Sequence, residues 1–280
     1  MADKADDPRL AGGRQPILEL RDASKAFGYV VALNHAYVAA YPGEVVALVG
    51  DNGAGKSTMV KVLAGIYPMD AGELAFEGQP VSIGNPKDAQ NLGIATVFQD
   101  LALVEALDVA ANMYLGRPLK RSIFVDRAAM VEGAADLLRE LRIRLPSVRI
   151  PVGALSGGQR QGVAIARAIL QRGRVIIMDE PTAALGVRET QHVEEIIQEL
   201  RRSGRAIILV SHDLEFVFRV ADTIEVLRLG SVRGVRRRAE TTREEIVGLI
   251  TGLVQMTDDG LAAANVAHLP EVGSTETSRE

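Results

Sequence analysis

Several short stretches carry residue types suited to phosphate chemistry. Gly50-Asp51-Asn52-Gly53-Ala54-Gly55-Lys56-Ser57-Thr58 follows the apolar run Val45–Val49 and precedes Met59–Ala64. A glycine-rich turn between a strand and a helix lets backbone N–H groups crowd around phosphate oxygens. The helix start adds unpaired donors and a positive dipole end. Lys56 can reach the outer phosphates, and the Ser57 hydroxyl suits Mg²⁺. Asp179 closes a second apolar run, Val175–Met178, where an acid can hold the same ion opposite the P-loop. Glu180 comes next and can orient and deprotonate a water aimed at the γ-phosphate. His212 lies just past a third run, Ala206–Val210, and Gln99 follows a fourth, Ile94–Phe98. Taken singly these residues are bland: an Asp that starts a turn, a solvated Gln, a structural His. At the carboxyl ends of parallel strands beside a P-loop they form a candidate site, because ligands of open α/β sheets bind there. The imidazole of His212 could then hold the attacking water and Glu180 in line.

A further stretch is Leu155-Ser156-Gly157-Gly158-Gln159, directly before a helical pattern. Its glycines allow close backbone approach, and the following helix start could receive an anion. The competing reading is an ordinary Ser N-cap followed by glycines.

These residues need strands and helices to place them, and the apolar patterning supplies both. Ile17–Leu20 reads as a short strand, Lys25–Tyr29 as a turn with exposed aromatics, and Val30–Ala40 as a second strand. Gly72–Gly78 alternates as an antiparallel strand does. Asn85-Pro86 is a helix start and Gly93 its stop. From about 101 to 171 the pattern turns helical, with Val131, Ala134, Leu138 and Leu141 at helical spacing and Arg160, Arg167 and Gln171 among small apolar residues. Leu145–Pro151 is a Pro-bounded loop. Val193, Ile196, Ile197 and Leu200 mark one helix face, and Thr242 with Glu245 a capping box. The basic run Arg233, Arg236, Arg237 and Arg238 reads as a solvated loop, with contact to anionic lipid headgroups as the minority reading. Residues 1–15 are expected to be a disordered leader and 255–280 a flexible tail.

Composition narrows the class. The chain has 280 residues, 47% hydrophobic and 4% aromatic, with no Trp, which suits an aliphatic α/β protein. A net charge of −4 provides no global basic field for nucleic acid. The absence of Cys excludes disulfides and thiol catalysis, and four scattered His show no metal-site spacing. No secretory signal pattern opens the chain, and no stretch has the roughly 18 apolar residues of a membrane span.

In this order and spacing the motifs resemble the ATPase subunit of ATP-binding cassette (ABC) transporters, over about residues 16–252. The resemblance implies an α/β fold: a P-loop NTPase (RecA-like) core, an antiparallel β subdomain and an inserted α-helical subdomain at about 101–171, within a domain at 16–254. It implies ATP and Mg²⁺ as cofactors. Gly50, Asp51, Asn52, Gly53, Ala54, Gly55, Lys56, Ser57, Thr58 and Gln99 would bind the nucleotide, and Phe27 would stack on adenine. Ser57, Gln99 and Asp179 would hold the metal, and Lys56, Glu180 and His212 would act in catalysis. Two copies would pack head to tail, so that Leu155, Ser156, Gly157, Gly158 and Gln159 of one close over ATP held by the other. Expected partners are a second copy, a transmembrane permease and, through it, a periplasmic substrate-binding protein, with no nucleic acid. The expected location is the cytoplasmic face of a bacterial inner membrane.

The runs Phe98–Val104, Asp179–Thr190 and Thr241–Gly252 look like those of bacterial importers of simple sugars, here with a single cassette and permease contacts within 101–140. One departure is Gly186, where most ABC cassettes carry an Asp. Two other classes fit the chain less well. DNA-repair ABC ATPases need a long coiled coil where this chain has only about 55 residues, between Gln99 and Leu155, and translation-associated members carry two cassettes. P-loop kinases and GTPases lack both LSGGQ and a counterpart of His212.

Overall fold

The run Val45–Val49 is apolar at every position because both of its faces are covered. It is the third strand of a computed structural model that describes residues 14–170, 173–183, 185–256 and 262–264. The chain begins with strands β1 (Leu18–Phe27), β2 (Val30–Ala40) and β3 (Val45–Val49), then helix α1 (Lys56–Leu63). Strands β4 (Ala71–Phe76) and β5 (Gln79–Val81), helix α2 (Pro86–Leu92) and strand β6 (Ile94–Val97) follow. Next come α3 (Val109–Met113), β7 (Lys120–Arg121), β8 (Phe124–Val125), α4 (Arg127–Glu140) and α5 (Gly157–Leu170). The α/β pattern returns with β9 (Val175–Asp179), α6 (Val187–Arg202), β10 (Ala206–Val210), α7 (Leu214–Val220) and β11 (Thr223–Arg228). Strand β12 (Ser231–Arg237), α8 (Arg243–Thr251), β13 (Val254–Met256) and β14 (Ala262–Ala264) close the described chain.

Six strands form the central sheet in the order β12-β11-β3-β10-β9-β6. All are parallel except the edge strand β12, which pairs antiparallel with β11. Four more form an antiparallel sheet, β2-β1-β4-β5. One core lies between the central sheet and α3 to α6, where Val193, Ile196, Ile197 and Leu200 of α6 are fully buried. Burying each such side chain contributes about 1.5–3 kcal/mol. A second core fills the space between the two sheets around Met59, Val60 and Leu63 of α1, and α7 and α8 cover a third. The architecture is the expected one: an α/β core, an antiparallel β layer and an inserted helical unit.

Local signals act as their chemistry requires. The Asn85 side chain accepts from the N–H groups of Lys87 (3.0 Å) and Asp88 (3.2 Å), and Gly93 ends α2 at φ 92°. Thr242 caps α8 by accepting from Glu245 N at 3.2 Å. The Glu245 carboxylate completes no box, because Arg236 Nε (2.6 Å) and the Thr241 hydroxyl (2.7 Å) take it.

Three elements differ from expectation. Strand β1 runs on to Phe27, because β2 pairs with it as far as Phe27 and β4 as far as Ser24, while register shifts absorb its polar middle. The basic run is strand rather than loop: Arg233, Arg236 and Arg237 lie on β12, and Arg238 opens a short 3₁₀ turn. Within the helical stretch, Pro118 interrupts the helix pattern and Ile123-Phe124-Val125 favours extended backbone, so 120–125 is a two-stranded hairpin. Residues 1–13, Gln171 and most of 257–280 lie outside the described residues; β13 and β14 pair antiparallel.

Candidate nucleotide site

In the central sheet β3, β10, β9 and β6 are consecutive and parallel, so their carboxyl ends open on one edge. The P-loop, His212, Asp179-Glu180 and Gln99 therefore converge. They line a cleft of about 510 Å³ with Asn52–Thr58 as its floor. Gly50 and Asp51 line an adjoining hollow of about 320 Å³, and His212 borders both.

The P-loop is held by close backbone packing. A Cβ on Gly50 would lie 2.0 Å from the Leu227 carbonyl oxygen, and one on Gly55 2.4 Å from that of Ala32. Gly55, at φ 106°, is the N-cap of α1 and offers no side chain to its first turn. The leading N–H groups of α1 have no acceptor within the helix, which makes them an anion site. Lys56 is buried, and its Nζ donates to the carbonyls of Gly50 (2.6 Å) and Asp51 (2.9 Å). Burial pushes its ammonium down, with Glu180, Asp51 and Asp179 opposing. A buried cation held by neutral carbonyls in a glycine-rich cradle fits a polyphosphate.

Asp179 faces the same cleft, and burial, then Glu180, pushes its carboxyl up against the pull of Lys61 and Lys56. Two adjacent acids, one of them half-buried, fit a dication. Among the described residues no cluster of three or more His, Cys, Asp or Glu exists to hold a metal. Mg²⁺ in this cleft would therefore rely on phosphate oxygens and the Ser57 hydroxyl beside Asp179.

Glu180 adopts φ 51°, and its N–H donates to Val210 O at 2.9 Å, which folds the end of β9 against the end of β10. That turn carries its carboxylate to His212: Oε1 lies 2.9 Å from Nδ1. A carboxylate only accepts, so Nδ1 is the donor and Nε2 is left for another partner.

Ser156 caps α5 in a reciprocal box. Its Oγ accepts from Gln159 N (3.3 Å), and Gln159 Oε1 accepts from Ser156 N (3.0 Å). The N-cap reading of this serine therefore holds, and its hydroxyl proton remains available. LSGGQ does not line the cleft of its own chain. Its glycines pack closely within the protomer: a Cβ on Gly157 would meet Leu185 Cδ2 at 3.1 Å, and one on Gly158 would meet Glu189 Cγ at 2.7 Å. A Cβ on Gly186 would in turn lie 2.7 Å from Glu189 Oε2. Glu189 thus packs against Gly158 and Gly186 together, while Ala183 lines the cleft.

Three cleft residues were not singled out by sequence. Val30, Val31 and Ala32 form the apolar wall of the cleft. Phe27 lies outside the cleft lining and packs edge-on against Tyr67, with ring centroids 5.1 Å apart. Arg167 of α5 donates to Leu101 O (2.6 Å) and Ala102 O (2.8 Å), just past Gln99. Asn112, fully buried, bonds the backbone of Val104, Leu107 and Asp108. The one available signal was a lone guanidinium or amide among small apolar residues.

Comparison with known proteins agrees with this geometry. The family model described as ABC transporter matches residues 33–183. The chain is 43% identical to the xylose/arabinose import ATP-binding protein of Sulfolobus acidocaldarius, over 84% of this chain and 94% of that one. It is also 43% identical to the fructose import ATP-binding protein of Rhizobium meliloti, over 89% and 99%. A solved structure of the ADP conformation of an ATP-binding cassette superposes with a TM-score of 0.73, at 27% identity, over 85% of this chain and 95% of that one. The chain belongs to the ABC transporter family, as one of its ATP-binding, ATP-hydrolysing cassettes.

Proposed function

We propose that this cassette drives import of a monosaccharide through a separate permease. Glu180 acts as the base on the attacking water, and His212 holds the carboxylate in place. Lys56, Asn52–Thr58 and Gln99 bind the phosphates, with Gly50 and Asp51 shaping the loop, and Phe27 is the adenine-stacking residue. Mg²⁺, held by Ser57, Asp179 and Gln99, would offset charge on the phosphates. The observation that carries the catalytic reading is the 2.9 Å contact between His212 and Glu180 beside the P-loop.

Ser156 and Gly158 are proposed to complete the site of a second copy, since LSGGQ is remote from its own cleft. Among the described residues no helix is long and apolar enough to cross a membrane. The transport path and the cargo choice would then belong to permease subunits and a periplasmic binding protein, with the cassette on the cytoplasmic face. The import proteins named above support a sugar as cargo. The test is ATPase activity of the chain reconstituted with its permease and binding protein. Stimulation by one of ribose, xylose, arabinose or fructose is expected. Stimulation only by amino acids or metal ions would remove the sugar reading and leave the ATPase intact.

A further inference from the structure

The surface of segment 115–125 has an unusual composition. Leu115, Leu119, Ile123, Phe124 and Val125 are all exposed, Ile123 to 81% and Phe124 to 72%. The same residues include Arg117, Lys120 and Arg121 and no carboxylate, in a chain whose net charge is −4. Lys120 and Arg121 are exposed, and Arg117 reaches only the neutral amides of Gln90 and Asn91. The base of the hairpin is fixed: Asp126 N donates to Leu119 O at 2.8 Å, and Arg127 pairs with Asp108.

Register decides what such a hairpin can bind. Lys120 lies opposite Val125 and Arg121 opposite Phe124. Opposite residues share a face and successive residues alternate. Each face therefore carries one cation and one apolar side chain, and neither offers the continuous apolar seam that a docking protein strand or helix would cover. What the hairpin presents is end-on: Ile123 and Phe124 at the tip, with Arg121 level with Phe124 and Lys120 one residue behind. That arrangement matches the interfacial zone of an anionic bilayer, where apolar tips enter the headgroup–acyl boundary and Lys or Arg stay at the phosphates.

We propose that the β7–β8 hairpin is a membrane-surface contact that inserts Ile123 and Phe124 into anionic phospholipid, with Lys120 and Arg121 on the lipid phosphates. It requires neither nucleotide nor cargo, and so stands apart from the import reading.

The chain contains no Trp, so Phe124→Trp creates a single reporter in the full-length protein. Its emission is expected to shift to the blue with vesicles of phosphatidylcholine mixed with phosphatidylglycerol, and to stay unchanged with phosphatidylcholine alone. Lys120→Glu with Arg121→Glu is expected to weaken flotation with the anionic vesicles at least about twentyfold, roughly fivefold per cation, with ATPase activity retained. If those variants lose their fold, the Phe124→Trp emission alone decides. Unshifted emission, with or without flotation, would overturn the proposal, since any binding would then use another surface. A blue shift with the permease in lipid-free detergent but not with anionic vesicles would also overturn it, in favour of a protein partner.

Discussion

Glu180 is a non-glycine residue held at φ 51°, a conformation that costs about 1 kcal/mol or more. The cost is tolerated where it delivers the carboxylate to His212. Glu180→Gln keeps the shape and removes the base, so turnover is expected to fall about a thousandfold with ATP affinity retained, measured by phosphate release and nucleotide titration. Lys56→Ala is expected to weaken ATP binding at least about tenfold, because only the cation leaves the cradle. Asp179 yields a prediction of opposite sign. Its carboxyl is raised by burial and by Glu180. A carboxyl raised in the folded state favours the fold fully only below its unfolded value, and that contribution is lost as pH rises through the raised value. At pH 7, above the unfolded value, the group therefore works against the nucleotide-free fold. Asp179→Asn should raise the melting temperature of the ligand-free protein by about 2 °C at pH 7, with no gain in strong acid, while Mg²⁺-dependent turnover collapses. A melting temperature that falls at pH 7 would count against this account of the acid pair.

Helix α5 joins two functional stretches. Its N-terminus carries the Ser156–Gln159 box, and near its other end Arg167 holds the carbonyls of Leu101 and Ala102 next to Gln99. Arg167→Met would leave both carbonyls without that donor, and a loss of about 2–3 kcal/mol is expected in urea unfolding. A change below about 0.5 kcal/mol would mean that the contact is incidental. At this scale the motif-bearing parts were legible in the sequence. Strand ends, the glycine-rich turn and the caps at Asn85 and Thr242 act through neighbours in the chain, and short-range patterning exposes them. Arg167 and Glu189 act on segments far away in sequence, and Asn112 ties down an irregular loop with no period of its own, so residue type alone could not announce them. The β7–β8 hairpin was hidden for a different reason. Two-residue strands have no period to read, and the flanking helices imposed theirs on the whole stretch.

Across the whole molecule, the placement of β10 between β3 and β9 is what makes the site. Chain order sets β3, β6, β9 and β10 in sequence, and only the sheet order puts the His212 strand beside both the P-loop strand and the Asp179 strand. Sequence reading reached the convergence through the rule that ligands sit at carboxyl ends of parallel strands, but pairing order is a tertiary property and came from the structure. LSGGQ remains outside its own cleft, so the account depends on a composite site shared by two copies. The most direct measurement is analytical ultracentrifugation of Glu180→Gln with and without ATP. A monomer is expected without nucleotide, a dimer with ATP, and loss of that dimer when Ser156→Arg is added. A protein that stays monomeric at saturating ATP, or a dimer indifferent to Ser156→Arg, would contradict it.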